Sequence, residues 1–311
     1  MSTRPAPVPQ PLVHRAFRTA DGAALGLTAG RMRSSDLAAP HRGVRVAGPP
    51  AADLEGRCRA LLPLLPPGAR FTHVTALALV GVEPPWSLKD DDRLHVEVST
   101  TATRPRIRGV VTHRIPGAVP LLHLRGLPVL RPELAWTRTA DRLAHTELVV
   151  LADGLCRRKR PVTTPERLAQ VVATLPAGTR GVRLLRGAAA SCGAGTDSVM
   201  ETRTRLALDS AGIRCEVNRA VRDEQGRFIA MPDLSDPVLR VAIEYDGDVH
   251  RTDRRTWQRD VARRQALEAA GWRVVTLTAG DVLGADDRWI SWVAAARTAQ
   301  SRVASRSSRG Q

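Results

Sequence analysis

The most regular pattern along the chain is the alternation Val241-Ala242-Ile243-Glu244-Tyr245-Asp246. Side chains alternate across a strand, so Val241, Ile243 and Tyr245 face one way and Ala242, Glu244 and Asp246 the other. A second apolar run, Phe228 to Leu234, contains Pro232-Asp233, and Ser235-Asp236-Pro237 reads as the turn that joins the two strands. Upstream, Ile213 to Val221 predicts another strand, closed by the turn Asp223-Glu224-Gln225-Gly226. Asp197 or Ser198 can cap a helix running to about Ala211, on which Glu201 and Arg205 stand one turn apart. Downstream, a helix from about Thr256 to Ala270 stops before Gly271, a strand covers Arg273 to Thr278, and a last helix spans about Asp287 to Ala299. Residues 198–298 therefore predict a domain with element order α-β-β-β-α-β.

The rest of the chain divides by composition. Residues 1–11 are Pro-rich and predict a flexible arm. Residues 12–48 predict a helix through Ala16 to Ala24, a turn at Gly26-Leu27-Thr28 with Thr28 as cap, a helix through Met32 to Leu37, and a basic strand Arg42-Gly43-Val44-Arg45-Val46. Helix, turn, basic helix and basic strand are the parts of a winged helix-turn-helix. In that arrangement Arg31 and Arg33 face the groove, and Arg42 and Arg45 touch phosphate from the wing. Residues 53–185 predict a mixed middle domain: helices from Leu54 to Leu65 and from Phe71 onward, strands at Leu94–Ser99, Gly109–Arg114 and around Leu127, and a helix through Leu134 to Leu151. The small-residue run 186–197, RGAAASCGAGTD, reads as a linker, and residues 299–311 as a disordered basic tail. The fold class is mixed α/β, of the α+β type.

Charge changes this picture most. The formal net charge is +16 and the isoelectric point about 11.3, which points to a polyanionic partner, with nucleic acid, DNA first, as the expectation. An anionic membrane surface fits less well, because no basic amphipathic anchor stands out. Cys58, Cys156, Cys192 and Cys215 are widely spaced with no CxxC pair, which argues against a zinc site or a disulfide framework. His73, His95 and His113 are scattered without metal-binding spacing and read as structural or solvent-facing. With no apolar signal core at the N-terminus and no apolar run of transmembrane length, the expected location is cytoplasmic.

The candidate chemistry lies in the acids. Glu244 and Asp246 sit on one face of a strand flanked by apolar residues, which is costly unless they are paired, protonated or neutralised by a cation. A hairpin brings Asp233 beside them. Converging carboxylates with only oxygen ligands suit a hard divalent ion such as Mg²⁺ or Mn²⁺.

On these residues the run from about Ser198 to Leu283 resembles the very-short-patch-repair-like branch of the PD-(D/E)XK nuclease superfamily, in particular the domain of unknown function 559. The residues that carry the likeness are Glu201, Pro232-Asp233, Glu244-Tyr245-Asp246-Gly247, His250, Asp260, Arg263 and Gly271-Trp272-Arg273-Val274-Val275. It implies a restriction-endonuclease-like αβββαβ core, Asp233 and Glu244 as metal ligands, and Asp246 and Glu201 assisting. One departure matters: the lysine that names the superfamily should stand at Asp246, and the chain has only Lys89 and Lys159. Arg263, with His250 as general acid or base, is the candidate replacement. The stretch GLTAGRMRSSDLAAPHRGVRV resembles the N-terminal winged helix of the abortive-infection antitoxin family, and residues 53–190 its middle domain; that likeness implies a DNA-binding regulator with a possible toxin partner. Two readings follow. One is a DNA-binding, Mg²⁺-dependent endonuclease; the alternative is a non-enzymatic antitoxin-like transcriptional regulator with a degenerate nuclease fold.

Overall fold

The computed structural model describes residues 5–100, 104–115, 121–193, 195–246, 254–284 and 286–307, so the positions expected of Gly247 and His250 lie outside the described residues. The chain forms two compact units, Met1–Leu143 with Thr174–Val182, and Ala144–Ala173 with Arg183–Gln311. Among the described residues no helix is long and apolar enough to cross a membrane.

The first unit opens with a small α/β module: β1 (Phe17–Arg18), α1 (Thr19–Ala24), β2 (Leu37–Ala38) and β3 (Val44–Ala47), with strand order β1-β3-β2. Leu12, Phe17, Leu27, Met32 and Leu37 form its core. The expected second helix through Met32 to Leu37 is instead one 3₁₀ turn, Arg31–Arg33, followed by β2. Gly30, not Thr28, is the capping residue of that turn, although Thr28 Oγ1 accepts from the Arg31 N–H at 3.1 Å. The first helix is shorter than expected because Phe17 and Arg18 pair with Arg45 and Val44 in the sheet. Tertiary pairing overrides helix propensity at both places.

The same unit continues with α2 (Leu54–Leu61), β4 (Arg70–Phe71), α3 (His73–Leu79), β5 (Leu94–Ser99), β6 (Val110–Ile115), β7 (Leu121–Leu124), β8 (Leu127–Leu130) and α4 (Pro132–Thr137). These strands make a five-stranded sheet of order β6-β5-β4-β8-β7. The strand expected at Leu94–Ser99 forms over those same residues. The helix expected over Leu134 to Leu151 is broken. It ends at Thr137 and restarts as α5 (His145–Leu155), which belongs to the second unit.

The second unit adds α6 (Pro165–Ala173), α7 (Val182–Ser191) and α8 (Val199–Ser210), then β9 (Glu216–Val217), β10 (Val221–Arg222), β11 (Phe228–Ala230), β12 (Leu234–Asp236), β13 (Val241–Asp246), α9 (Arg254–Ala269), β14 (Arg273–Thr278), α10 (Ala279–Leu283) and α11 (Arg288–Ser307). Ser198 caps α8 as its position predicts, Oγ accepting from the Glu201 N–H at 3.1 Å. The main sheet has order β14-β13-β12-β9; β12 is antiparallel to both neighbours, and β13 runs parallel to β14 across the α9 crossover. Gly271 ends that crossover with φ +79°, a conformation that costs glycine nothing. The period-two reading of β13 holds: Val241 and Ile243 join the core with Leu277, Trp289 and Val293, while Ala242 packs on the opposite side with Leu267.

Four expectations are corrected here. Ser235 and Asp236 lie in β12 rather than in a turn; Asp236 Oδ1 accepts from the Val238 and Leu239 N–H groups and so starts the turn one residue later. The proposed linker 186–197 is helical through Ser191. The tail expected to be disordered from 299 continues α11 to Ser307. The strand expected over Ile213 to Val221 is divided as well. Asn218, at φ +46°, separates β9 from β10, a backbone state that Asn tolerates better than branched residues.

Candidate active site and a buried histidine cluster

The acids singled out in the sequence meet where β12 and β13 pair. Asp233 stands one residue before β12, and its Oδ2 accepts from the Tyr245 N–H at 2.8 Å. Leu234 pairs with Ile243, so Asp233 lies at the level of Glu244 and Tyr245. Glu244 is buried; Oε2 accepts from Arg263 Nη2 at 3.2 Å, while Oε1 is buried with no hydrogen-bond partner. Burial pushes both carboxyls above their ordinary range, with the Glu244 charge adding to the effect on Asp233 and the Arg263 guanidinium opposing it on both. Arg263 also reaches Asp260 at 3.5 Å, one turn back on α9. The helix after β13 thus places a guanidinium beside Glu244.

Glu201 is brought to the same region but is occupied otherwise. Its Oε2 accepts from the Asp197 N–H at 2.9 Å and from Asn218 Nδ2 at 2.7 Å. Burial raises its carboxyl too, and Asp233 is near enough for its charge to contribute. The left-handed backbone at Asn218 aims that amide at Glu201, so Glu201 ties the start of α8 to the β9–β10 break. Asp246 is half-buried at the end of β13, paired in register with Thr278, two residues beyond Glu244 on the same face. The carboxylates do not close into a ring: among the described residues, the cluster of three His, Cys, Asp or Glu side chains with ligand atoms all within 4.8 Å of one another is elsewhere.

That cluster is His73, His95 and His113, which sequence spacing placed apart. His95 lies on β5 and His113 on β6, where Glu97 is the register partner of His113, so both rings stand on one sheet face two residues out of step. The β4 strand beside β5 leads directly into His73, the first residue of α3. His95 Nδ1 and His113 Nε2 are 3.0 Å apart, and the His73 and His113 rings stack with centroids 3.7 Å apart. Burial pulls His95 and His113 down to about 4 and His73 to about 2, so all three are neutral near pH 7. His73 and His95 are buried, which corrects the solvent-facing alternative. The signal missed in sequence was the parallel pairing of β5 with β6.

Two further polar clusters were not legible either. Asp153, fully buried on α5, accepts from Arg205 Nη2 at 2.9 Å, Thr202 Oγ1 at 2.9 Å and the Gly193 N–H at 2.8 Å. An acid inside the apolar run Leu148 to Leu155 was the available clue. Arg205 therefore partners Asp153 rather than Glu201. Glu97, also fully buried, holds Arg70 at 2.8 Å and Arg138 at 3.3 Å.

The expected DNA-facing arginines separate into two pairs. Arg31 is buried and forks onto Asp36, with Nη1 and Nη2 donating to Oδ1 and Oδ2 at 2.8 Å each. Arg45 Nε donates to the Met32 carbonyl at 2.5 Å and Nη1 to the Val44 carbonyl at 2.8 Å. Both arginines are committed to holding the module together, which corrects their assignment to groove and wing. Arg33 and Arg42 are exposed.

No protein-family model and no curated protein matches the chain. Among solved structures it is similar to the crystal structure of the RV2827C protein from Mycobacterium tuberculosis, at 19% identity, with 67% of this chain and 83% of that chain covered and a TM-score of 0.39. A likeness that loose transfers nothing to the residues above.

Proposed function

We propose that the chain acts on DNA, and that its second unit hydrolyses phosphodiester bonds with a divalent ion, Mg²⁺ or Mn²⁺, held by Asp233 and Glu244. The observation that carries this reading is Glu244 Oε1, a buried carboxylate oxygen without a hydrogen-bond partner, close to the half-buried Asp233. A buried anion left partly unsatisfied is expensive, and a hard cation bridging the two carboxylates would remove the cost. The donor set fits: oxygen atoms only, from two carboxylates, which suits a hard ion such as Mg²⁺. When bound, such an ion polarises the scissile phosphate and lowers the pKa of the attacking water. Asp233 and Glu244 would hold it; the Tyr245 N–H holds Asp233 in position, and Glu201 holds the adjoining loop. Arg263 already sits at the acids, and a shift of its guanidinium from Glu244 to a phosphate oxygen would offset charge developing in the transition state.

One observation favours the non-enzymatic regulator: Arg263 neutralises Glu244 where a metal would otherwise do so. Incubating the full chain with plasmid and single-stranded DNA in Mg²⁺, Mn²⁺ or EDTA separates the two. Metal-dependent cutting supports the nuclease. DNA binding without cutting in any metal replaces it with the antitoxin-like regulator, for which a toxin partner would then be sought. Within the nuclease reading, Arg263→Ala and His250→Ala are each expected to lower cleavage at least roughly tenfold, with folding and DNA affinity unchanged. Wild-type rates in both variants would remove these residues from the mechanism.

DNA contact by the N-terminal module rests on Arg33 and Arg42. Reversing both to Glu is expected to reduce the slope of log K against log salt by about 2, since each neutralised phosphate contributes about 0.9. An unchanged slope in a duplex titration would place the basic contact surface elsewhere.

A further inference from the structure

We propose that His73, His95 and His113 form a binding site for a divalent transition-metal ion of the zinc class, separate in chemistry from the carboxylate site. Three imidazole ligands with nitrogens within 4.8 Å of one another suit zinc, cobalt or nickel and not magnesium or calcium. The cluster also carries a sign of incompleteness. His95 is 4% exposed, and its Nε2 is buried with no hydrogen-bond partner, which a core histidine packed only for shape has no reason to be.

The surroundings resemble the outer shell of a metal site. Thr72 Oγ1 lies 3.2 Å from His73 Nδ1 and 3.5 Å from Glu97 Oε2, so a hydroxyl and a carboxylate support the first imidazole from behind. Thr75 Oγ1 accepts from the His95 N–H at 2.8 Å and pins β5 to α3. His73 itself holds φ +51° at the start of α3, an uncommon backbone state for a residue other than glycine; such states persist where the surroundings impose them. Together these fix three rings at the junction of β4, β5 and β6.

Loading asks for little movement. Around a tetrahedral zinc the ligand nitrogens stand roughly 3.3 Å apart, given Zn–N bonds of about 2.0–2.1 Å. The ring nitrogens of the three residues already lie within 4.8 Å of one another, so small ring rotations would bring them to that spacing, each neutral imidazole keeping its proton on the nitrogen that does not ligate. Arg138 and Arg142 add positive charge that opposes the ion, while Asp91 and Asp141 act the other way. Three protein ligands leave a fourth position for water.

The test is a titration of metal-stripped full chain with Zn²⁺ in excess Mg²⁺, which occupies the carboxylates. About one equivalent of tightly bound zinc is expected in the wild type and in Asp233→Asn. His113→Gln, at the half-buried member of the trio, is expected to weaken binding by more than about a hundredfold. Co²⁺ added to unmodified protein gives a readout independent of any variant: a four-coordinate site produces intense visible bands, and weak six-coordinate bands would overturn the assignment. Zinc that fails to bind the wild type, or that binds His113→Gln equally well, leaves the cluster as neutral core packing. Neither result depends on whether the protein cuts DNA.

Discussion

Asp233→Asn is expected to abolish metal-dependent cleavage, by at least roughly a hundredfold, and to remove the thermal stabilisation that Mn²⁺ gives the wild type. The substitution keeps the shape of the side chain, and Asn Oδ1 can still accept from the Tyr245 N–H that now donates to Asp233. What disappears is a charge. Burial and the neighbouring Glu244 already disfavour that charge, so the apo variant should fold at least as well as the wild type. Loss of cleavage could then not be blamed on unfolding. Thermal melts of both proteins with and without Mn²⁺, beside a plasmid assay, decide the matter. Equal stabilisation of the two by Mn²⁺ would remove Asp233 from the metal site.

The largest stability effect is expected at a residue with no assigned chemistry. Asp153→Ala should destabilise the second unit by about 3–5 kcal/mol, because it removes the buried counter-ion of the Arg205 guanidinium and leaves it only the more exposed Asp209 at 3.4 Å. The side chains of this pair are 10% and 0% exposed, so solvent cannot take over the lost contacts. The Gly193 N–H and the Thr202 hydroxyl lose their acceptor as well. By contrast, the exposed pair Arg219–Glu216, both about half accessible, should contribute no more than about 1 kcal/mol when broken. For a unit of this size each kcal/mol is worth roughly 2–4 °C in Tm. A melt of Asp153→Ala that matches the wild type within a degree or two would show that the pair is dispensable.

Local chemistry was readable from the sequence wherever it acts over a few residues. The alternation of Val241 to Asp246, the Ser198 cap and the stop at Gly271 follow from side-chain direction, one hydrogen bond and one backbone angle, and each forms as read. The pattern also placed Asp233 beside Glu244 and Arg263 on the helix above them, because a hairpin and the following crossover helix are short-range constructions. The mixed α and β class came with them. Elements whose ends depend on distant pairing were misread: the helix expected at Met32 to Leu37 gave way to β2, and the 186–197 segment became the end of α7. Only the tertiary structure decided that Arg31 serves Asp36, that Asp153 meets Arg205, and that His73, His95 and His113 gather on one sheet face. The Asp153–Arg205 and histidine contacts join residues far apart in sequence, and the histidine cluster depends on β4, β5 and β6 lying side by side. Strand neighbours are chosen by the burial of whole faces, a collective energy that no single stretch of residues carries.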